Sequence, residues 1–457
     1  MRSVSFRSEV KPKSGTVSGR LSAISAPATE GDDFFVICDP NGVNVFTTRN
    51  SIMSSESRNP VRMRRMLRPL LLALKFTGLY FKSRRRLDHR WDLIENVRLC
   101  CLVCLLSLAS IFPVGLLLNI DLSRGLTDPI VSASLLMIIW GVQAIICLVY
   151  LFYWQHSGLF DELLELIETK CDAQGCTEGW SRLRARHIVY LTLTILYILI
   201  KVTMSALPPE WFGLEDRIKS LRAKVDFLFD SVYLHILVSG ANIWATASWA
   251  LVIYFSSMCC VCVVEEIVCF NQQLRKESKS LKQLNVIQKF FLWHTDLCAL
   301  IEHLNKMFAT YVFFMLATNI PLLILGLHVT IVNLDAEPML LAVFLLGAFY
   351  TLCQLIALSL TPARVHDNIH KAREILYAEK SLWVPYNHQV FDFAAMFCAK
   401  LGEGSIGVSI WGYVIITKPL LLTVISLIIT YLVLLLQFNA TSQWSDRTAN
   451  ASISIEA

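Results

Sequence analysis

Seven apolar runs, each about as long as the ~20 residues that a helix needs to cross a bilayer's hydrocarbon core, constrain this chain more than any other feature. They are Val97–Ile120 (S1), Ile130–Trp154 (S2), His187–Leu207 (S3), His235–Val264 (S4), Ala309–Val332 (S5), Pro338–Leu360 (S6) and Ile410–Phe438 (S7). Only 17% of the residues are charged and 55% are hydrophobic, too little polar surface to clothe a soluble fold of this length. The expected fold class is therefore all-α: a polytopic membrane protein with seven transmembrane helices.

Basic residues set the orientation. Arg62, Arg64, Arg65, Arg68, Lys82, Arg84, Arg85 and Arg86 precede S1, and further clusters follow S2, S4 and S6. The S1–S2 loop holds only Arg124, and the S5–S6 turn holds neither Lys nor Arg. The S3–S4 loop, with Arg217, Lys219, Arg222 and Lys224, dissents. The majority places the N-terminus in the cytosol, so seven spans place the C-terminus outside, in a multi-pass protein of the plasma membrane. The sequons at Asn439 and Asn450 both lie in that C-terminal tail, where glycosylation is expected. The clustered basic charge speaks for a lipid surface and against nucleic acid as partner.

The organisation follows. Residues 1–60 read as a disordered cytosolic tail. Residues 61–96 are a basic membrane-proximal segment, with a short helix expected over Leu67–Phe81. Residues 97–264 carry S1–S4 and 309–360 carry S5–S6. Residues 265–308 and 361–409 form a cytosolic helical anchor. Residues 410–438 are the S7 helix and 439–457 the outer tail. S4 is long enough to continue as a helix into water. Lys418-Pro419 interrupts S7, because proline removes a backbone donor, and divides it into a short S7a helix and an S7b helix from Pro419. The 14 cysteines fall in spans or on the cytosolic side, so no disulfide framework is expected.

S7b carries the most informative pattern. Thr423, Ser426, Thr430, Leu434 and Gln437 share one helix face among Leu, Ile and Val. Such a stripe either packs against another helix or lines water. Lys418, near the break, needs water or a carboxylate. At the end of S7b, Thr430-Tyr431, five apolar residues and Gln437-Phe438 form a pattern that resembles the signature of arthropod gustatory receptors. The seven-helix plan and long S4 are similar to that family over about residues 65–440.

That resemblance implies a cation channel gated by a small external tastant, built as a homo- or heterotetramer around a central pore. It implies S7b as the pore helix, with Gln437 and Phe438 near the gate. Thr423, Ser426, Thr430 and Leu434 would face or flank the conduction path, and Tyr431 would brace S7b against S5 or a neighbouring subunit. It also implies a ligand pocket among S2–S6. Candidates there are Ser134, Trp140, Lys201, Asn242, Trp244, Trp249, Asn319, His328 and Tyr350, because rings stack on a ligand while amides bind its polar groups. Sugar receptors of this family commonly have Glu after Thr-Tyr, where this chain has Leu432. Sugar, bitter compound and carbon dioxide all remain open as ligands.

Other patterns have competing readings. His366 and His370 have the i, i+4 spacing of a zinc site, which an intramembrane metalloprotease would use, but Asp367 stands where the catalytic Glu belongs. A solvated helix face is the plainer reading, and no metal or other cofactor is expected. Gly402, Gly404 and Gly407 match a dinucleotide fingerprint by letters but lack its strand–helix context, so they read as a turn. A transporter is the main rival function, although only one broken helix is visible where paired half-helices would be expected. The orientation predicts that an epitope appended after Ala457 stains on intact cells. One placed before Met1 should stain only after permeabilisation.

Overall fold

The computed structural model describes residues 34–38, 44–48, 62–77, 79, 100–101, 103–105, 107–108, 110, 115, 129–167, 179–206, 232–332, 338–384, 386–402 and 404–456. The chain divides into two units, Met1–Ser57 and Arg58–Ala457. In the first, β1 (Phe34–Cys38) pairs antiparallel with β2 (Asn44–Thr48), with Val36 opposite Phe46. This hairpin departs from the expected structureless tail. Its strands are rich in β-branched and aromatic residues, and the intervening Asp39-Pro-Asn-Gly42 is turn-forming sequence.

The second unit is helical. Helix α1 (Arg62–Phe76) precedes α2 (Pro129–His156), α3 (Leu159–Leu166), α4 (Gly179–Ala206) and α5 (Val232–Lys276). Then come α6 (Leu284–Val332), α7 (Pro338–Ala378), α8 (His388–Leu401) and α9 (Lys418–Glu456). Among the described residues, six helices are long and apolar enough to cross a membrane: α2, α4, α5, α6, α7 and α9. They correspond to S2–S7. Most of S1 lies outside the described residues, and so do residues 207–231 between S3 and S4.

Three spans run on as single rods into the predicted cytosolic layer. S4 does so as expected. S5 is continuous with the helix before it, giving the 49-residue α6, and S6 extends to Ala378 in α7. Helix α5 forms the centre. Its most apolar window is 94% buried, and it packs against α2, α4, α6 and α7. Trp154 of α2 fixes that helix to α6: its indole N–H donates to the Met307 carbonyl at 2.9 Å, and its ring meets Phe308 and Tyr311 edge-on. Helix α3, which the sequence reading left in a loop, stacks Phe160 on Phe255 of α5 at 4.7 Å. Helix α1 starts and ends five residues earlier than expected and buries Leu70 and Leu74.

Below the spans, Phe270, Phe290 and Trp293 pack together, and Phe291 meets Phe393 and Phe397. Asn271 donates to the Asn368 carbonyl at 2.7 Å, tying α5 to α7. At the outer edge of this layer, the hydrogen bond from Ser381 holds the Glu379 carboxyl below the usual carboxylate range. One finding departs from the expected reducing chemistry: Cys269 is disulfide-bonded. Chain packing can bring cysteines together whatever their sequence spacing.

The S7a helix is not present. Residues Ser409–Ile410 (β3) and Val414–Ile415 (β4) pair as a small hairpin, and Trp411 and Gly412 turn it at φ 52° and 80°. Gly412 adopts that conformation freely, whereas Trp411 needs support. It gets this from Phe313 and Phe314 of α6, with ring centroids 4.7 and 6.0 Å away. Gly407 leads into the hairpin, and a Cβ there would lie 2.7 Å from Ile415 Cγ2. Gly407→Ala should therefore destabilise the protein by about 1–3 kcal/mol, the cost of overpacking. Thermal unfolding of detergent-solubilised protein would show the drop.

Candidate functional site

Helix α9 begins where the sequence placed a break. Proline in the first turn of a helix costs nothing, because its missing N–H has no partner there anyway. Pro419 therefore starts α9 rather than kinking a longer S7. Two anchors fix this start. The side-chain oxygen of Asn305 accepts from the Ser409 N–H at 2.7 Å and from the Ser409 hydroxyl at 2.8 Å. The Trp411 N–H reaches the Ala309 carbonyl at 3.2 Å. Both acceptors belong to α6.

Lys418 forms an ion pair with Asp367 of α7 at 2.7 Å. The carboxylate that this lysine needed was thus part of the suspected zinc motif. His366 and His370 flank Asp367 and face each other at 4.5 Å. Each has Nδ1 3.0 Å from a backbone carbonyl, Ile406 and Leu401 respectively. Carbonyls only accept, so each imidazole carries its proton on Nδ1 and donates. The i, i+4 spacing here serves to hold the segment leading into α9.

Beyond its first turn, α9 touches its own subunit along one face. Its most apolar window is 6% buried, with Ile428 the fully covered residue, against α6 and α7. Thr423, Ser426, Thr430, Leu434 and Gln437 all lie on the exposed side. Steps of 100° set this stripe nearly opposite Ile428. The Thr423 and Thr430 hydroxyls donate to the Pro419 and Ser426 carbonyls one turn back, at 3.1 and 2.8 Å. Among the described residues, the subunit thus leaves the stripe largely uncovered. Phe438 is also exposed, and so is about half of Tyr431.

Inside the bundle, four helices contribute an aromatic cluster. Tyr197 of α4 stacks on Tyr350 of α7 at 3.6 Å. Trp249 of α5 meets both, and Trp140 of α2 meets Trp249 edge-on at 6.2 Å. A neutral amide group lies nearby. Gln143 of α2 donates to Thr318 at 3.1 Å and to Asn319 Oδ1 at 3.2 Å, both on α6. Gly326 of α6 lies beside Leu136 and Ala348. Two turns further in on α2, α6 and α7 are Gln143, Asn319 and Gln354, so these three share a level. Gln143 Oε1, Asn319 Nδ2 and both polar atoms of Gln354 are buried with no hydrogen-bond partner among the described residues. Each such orphan costs about 1–3 kcal/mol.

The predicted pocket residues therefore separate. Trp140, Trp249 and Tyr350 join the aromatic cluster, and Asn319 joins the amide level. His328 is buried nearer the outer end of α6. Ser134 is buried on α2 near its outer end. Trp244 is committed elsewhere, its indole N–H donating to the Thr77 carbonyl at 2.9 Å. Asn242 lies on α5, where its carbonyl accepts from the Thr246 hydroxyl. Lys201 lies on α4, and its side chain is outside the described residues, like those of Asn439 and Asn450. Sequence reasoning missed Tyr197, Gln143, Gln354 and the role of Asp367. The two glutamines were detectable as uncharged polar residues within spans, which are usually functional.

A family profile described as "Trehalose receptor" matches residues 181–448, more than half of the chain. The chain belongs to this insect gustatory receptor family. Members of such receptor families are ligand-gated ion channels rather than enzymes. The receptor is also similar in fold to a solved structure, the insect olfactory receptor OR5 from Machilis hrabei. That likeness has a TM-score of 0.65 and 14% identity, and covers 83% of this chain and 100% of the other. The same olfactory receptor in complex with eugenol matches with a TM-score of 0.62 and 12% identity over the same shares. The search of curated proteins returns no match. The likeness agrees with the seven-helix membrane fold expected from the spans.

The exposure of α9 sets a labelling pattern for the receptor in membranes. Cysteines introduced for Thr423, Ser426 and Thr430 should react with a charged, water-soluble thiol reagent, while Ile428→Cys should stay unmodified. Mass spectrometry of the labelled helix reads this out.

Proposed function

We propose that this receptor is a plasma-membrane cation channel, opened from outside by a small-molecule tastant and assembled as a tetramer with α9 from each subunit around one pore. The observation that carries this reading is the exposed hydroxyl face of α9, with Thr423, Ser426 and Thr430. A lipid-facing helix gains nothing from hydroxyls there, whereas a water-filled path shared between subunits solvates them. With the N-terminus in the cytosol, α9 runs outward, and Gln437 and Phe438 form the gate at the outer end of its apolar span, Lys418–Phe438. Asn439 and Asn450 follow on the outer side and are the glycosylation sites.

The ligand binds among α2, α4, α5 and α7, where Trp140, Tyr197, Trp249 and Tyr350 gather above the amides of Gln143, Asn319 and Gln354. Stacked rings with neutral amides suit an uncharged molecule that has an apolar face and hydrogen-bonding groups. Whether that molecule is a sugar or a bitter compound, this chemistry fits it better than carbon dioxide. The ligand opens the channel only as far as it binds the open form more tightly than the closed one.

Expressed alone, the receptor should give ligand-evoked cation currents in a screen of neutral tastants. Gln437→Leu should change the ratio of sodium to calcium permeability or the open fraction. Uptake of solute without current would instead support a transporter.

A further inference from the structure

One turn of α7 grips the whole segment that leads into the pore helix. Three of its side chains, at i, i+1 and i+4, take three successive points on that segment. His370 holds the Leu401 carbonyl, His366 holds the Ile406 carbonyl, and Asp367 holds the Lys418 ammonium. Gly407 lets the segment pass close by, because a Cβ there would lie 3.4 Å from the Cβ of His366. Lys418 is the first residue of α9, so the ion pair acts on the helix itself. The carboxylate side chain is 25% exposed and the lysine side chain 61%, so water screens the ammonium end while the carboxylate end is partly sheltered.

The same helix reaches the interior cluster. Tyr350 and Gln354 lie on α7 outward of this turn, and the helix is continuous between them. Seventeen residues of rise separate Tyr350 from Asp367, about 26 Å. Pro362 lies between the two sites and removes one helical hydrogen bond, so the rod can bend there. A displacement at the aromatic cluster therefore has a path to the base of α9 along the continuous α7 and across the Asp367–Lys418 ion pair, bypassing α6.

We propose that Asp367 is a positioning residue for the pore: through Lys418 it fixes the base of α9 to α7 and so sets how far the pore opens. This rests on the reading of α9 as the pore helix. The pair is made in one arrangement of the two helices, so its loss shifts the population towards others. It does not line the conduction path, because Lys418 lies well round the helix from the Thr423–Gln437 stripe.

The experiment uses the full-length receptor with four variants: Asp367→Asn, Lys418→Gln, Lys418→Arg and the charge-swapped Asp367→Lys with Lys418→Asp. Single-channel recording without ligand, in planar bilayers, gives the open fraction. Asp367→Asn and Lys418→Gln should each change it by about fivefold or more, the scale of ordinary allosteric coupling. The swap should bring it back towards wild type, and cation selectivity should stay unchanged throughout. Hydrogen exchange of residues 404–420 gives a second readout that needs no current. It should rise in both single variants and fall again in the swap. If a single variant does not reach the membrane, Lys418→Arg carries the test, because it keeps the charge and alters the geometry. Wild-type open fraction and exchange in the single variants would overturn the proposal, as would a defect that the swap leaves in place. A wild-type receptor that passes no current would contradict the channel reading, while the exchange experiment would still decide the role of Asp367.

Discussion

Helix α9 is held to the rest of its subunit along one face, against α6 and α7, and the behaviour of the molecule depends on what covers the others. A helix inside a bundle is covered all round, as α5 is. A helix facing only lipid is apolar on every open side. Helix α9 fits neither description, because its open side carries Thr423, Ser426, Thr430 and Gln437. The threonines satisfy their hydroxyls against backbone carbonyls, which makes them cheap to expose and leaves lone pairs for water or passing ions. On the proposed reading, copies of the chain meet along this side.

The interior has the complementary character. Helix α5 is buried over almost all of its apolar window, and aromatic rings from α2, α4 and α7 close on its Trp249. Beside those rings, amides sit in a low-dielectric setting without full hydrogen bonding. Stability alone would favour leucine at such positions. Polar groups kept at that cost in a membrane interior usually serve a ligand or an ion. The receptor thus pairs a strained polar interior with an uncovered polar face, and α6 and α7 are the rods that connect them.

Much of this was legible from sequence, and the misses share a cause. Span positions follow from hydropathy, because the bilayer imposes both length and polarity. The stripe on α9 follows from helical geometry, and the Thr430–Phe438 pattern led to the family. Local signals with two meanings failed. Lys418-Pro419 does mark a break, and Pro419 opens α9, but Trp411-Gly412 forms a hairpin turn where the apolar run suggests a short S7a helix. The depth of Trp244 in S4 suggests the pocket, while its rotation about α5 takes it to Thr77. Asp367 stands in the sequence as a poor substitute for a catalytic glutamate. Its actual partner is 51 residues away in sequence, a pairing that only the fold could reveal.

The central claim is that the open polar face of α9 meets its own copies around a shared axis. Oxidative cross-linking between identical subunits tests this most directly, with single cysteines placed on an otherwise cysteine-unreactive background. Leu434→Cys and Gln437→Cys should form covalent dimers between subunits in native membranes, and Ile429→Cys, on a different exposed side, should not. Cross-linking at 429 with none at 434 or 437 would mean that the stripe faces away from the axis and that the pore lies elsewhere.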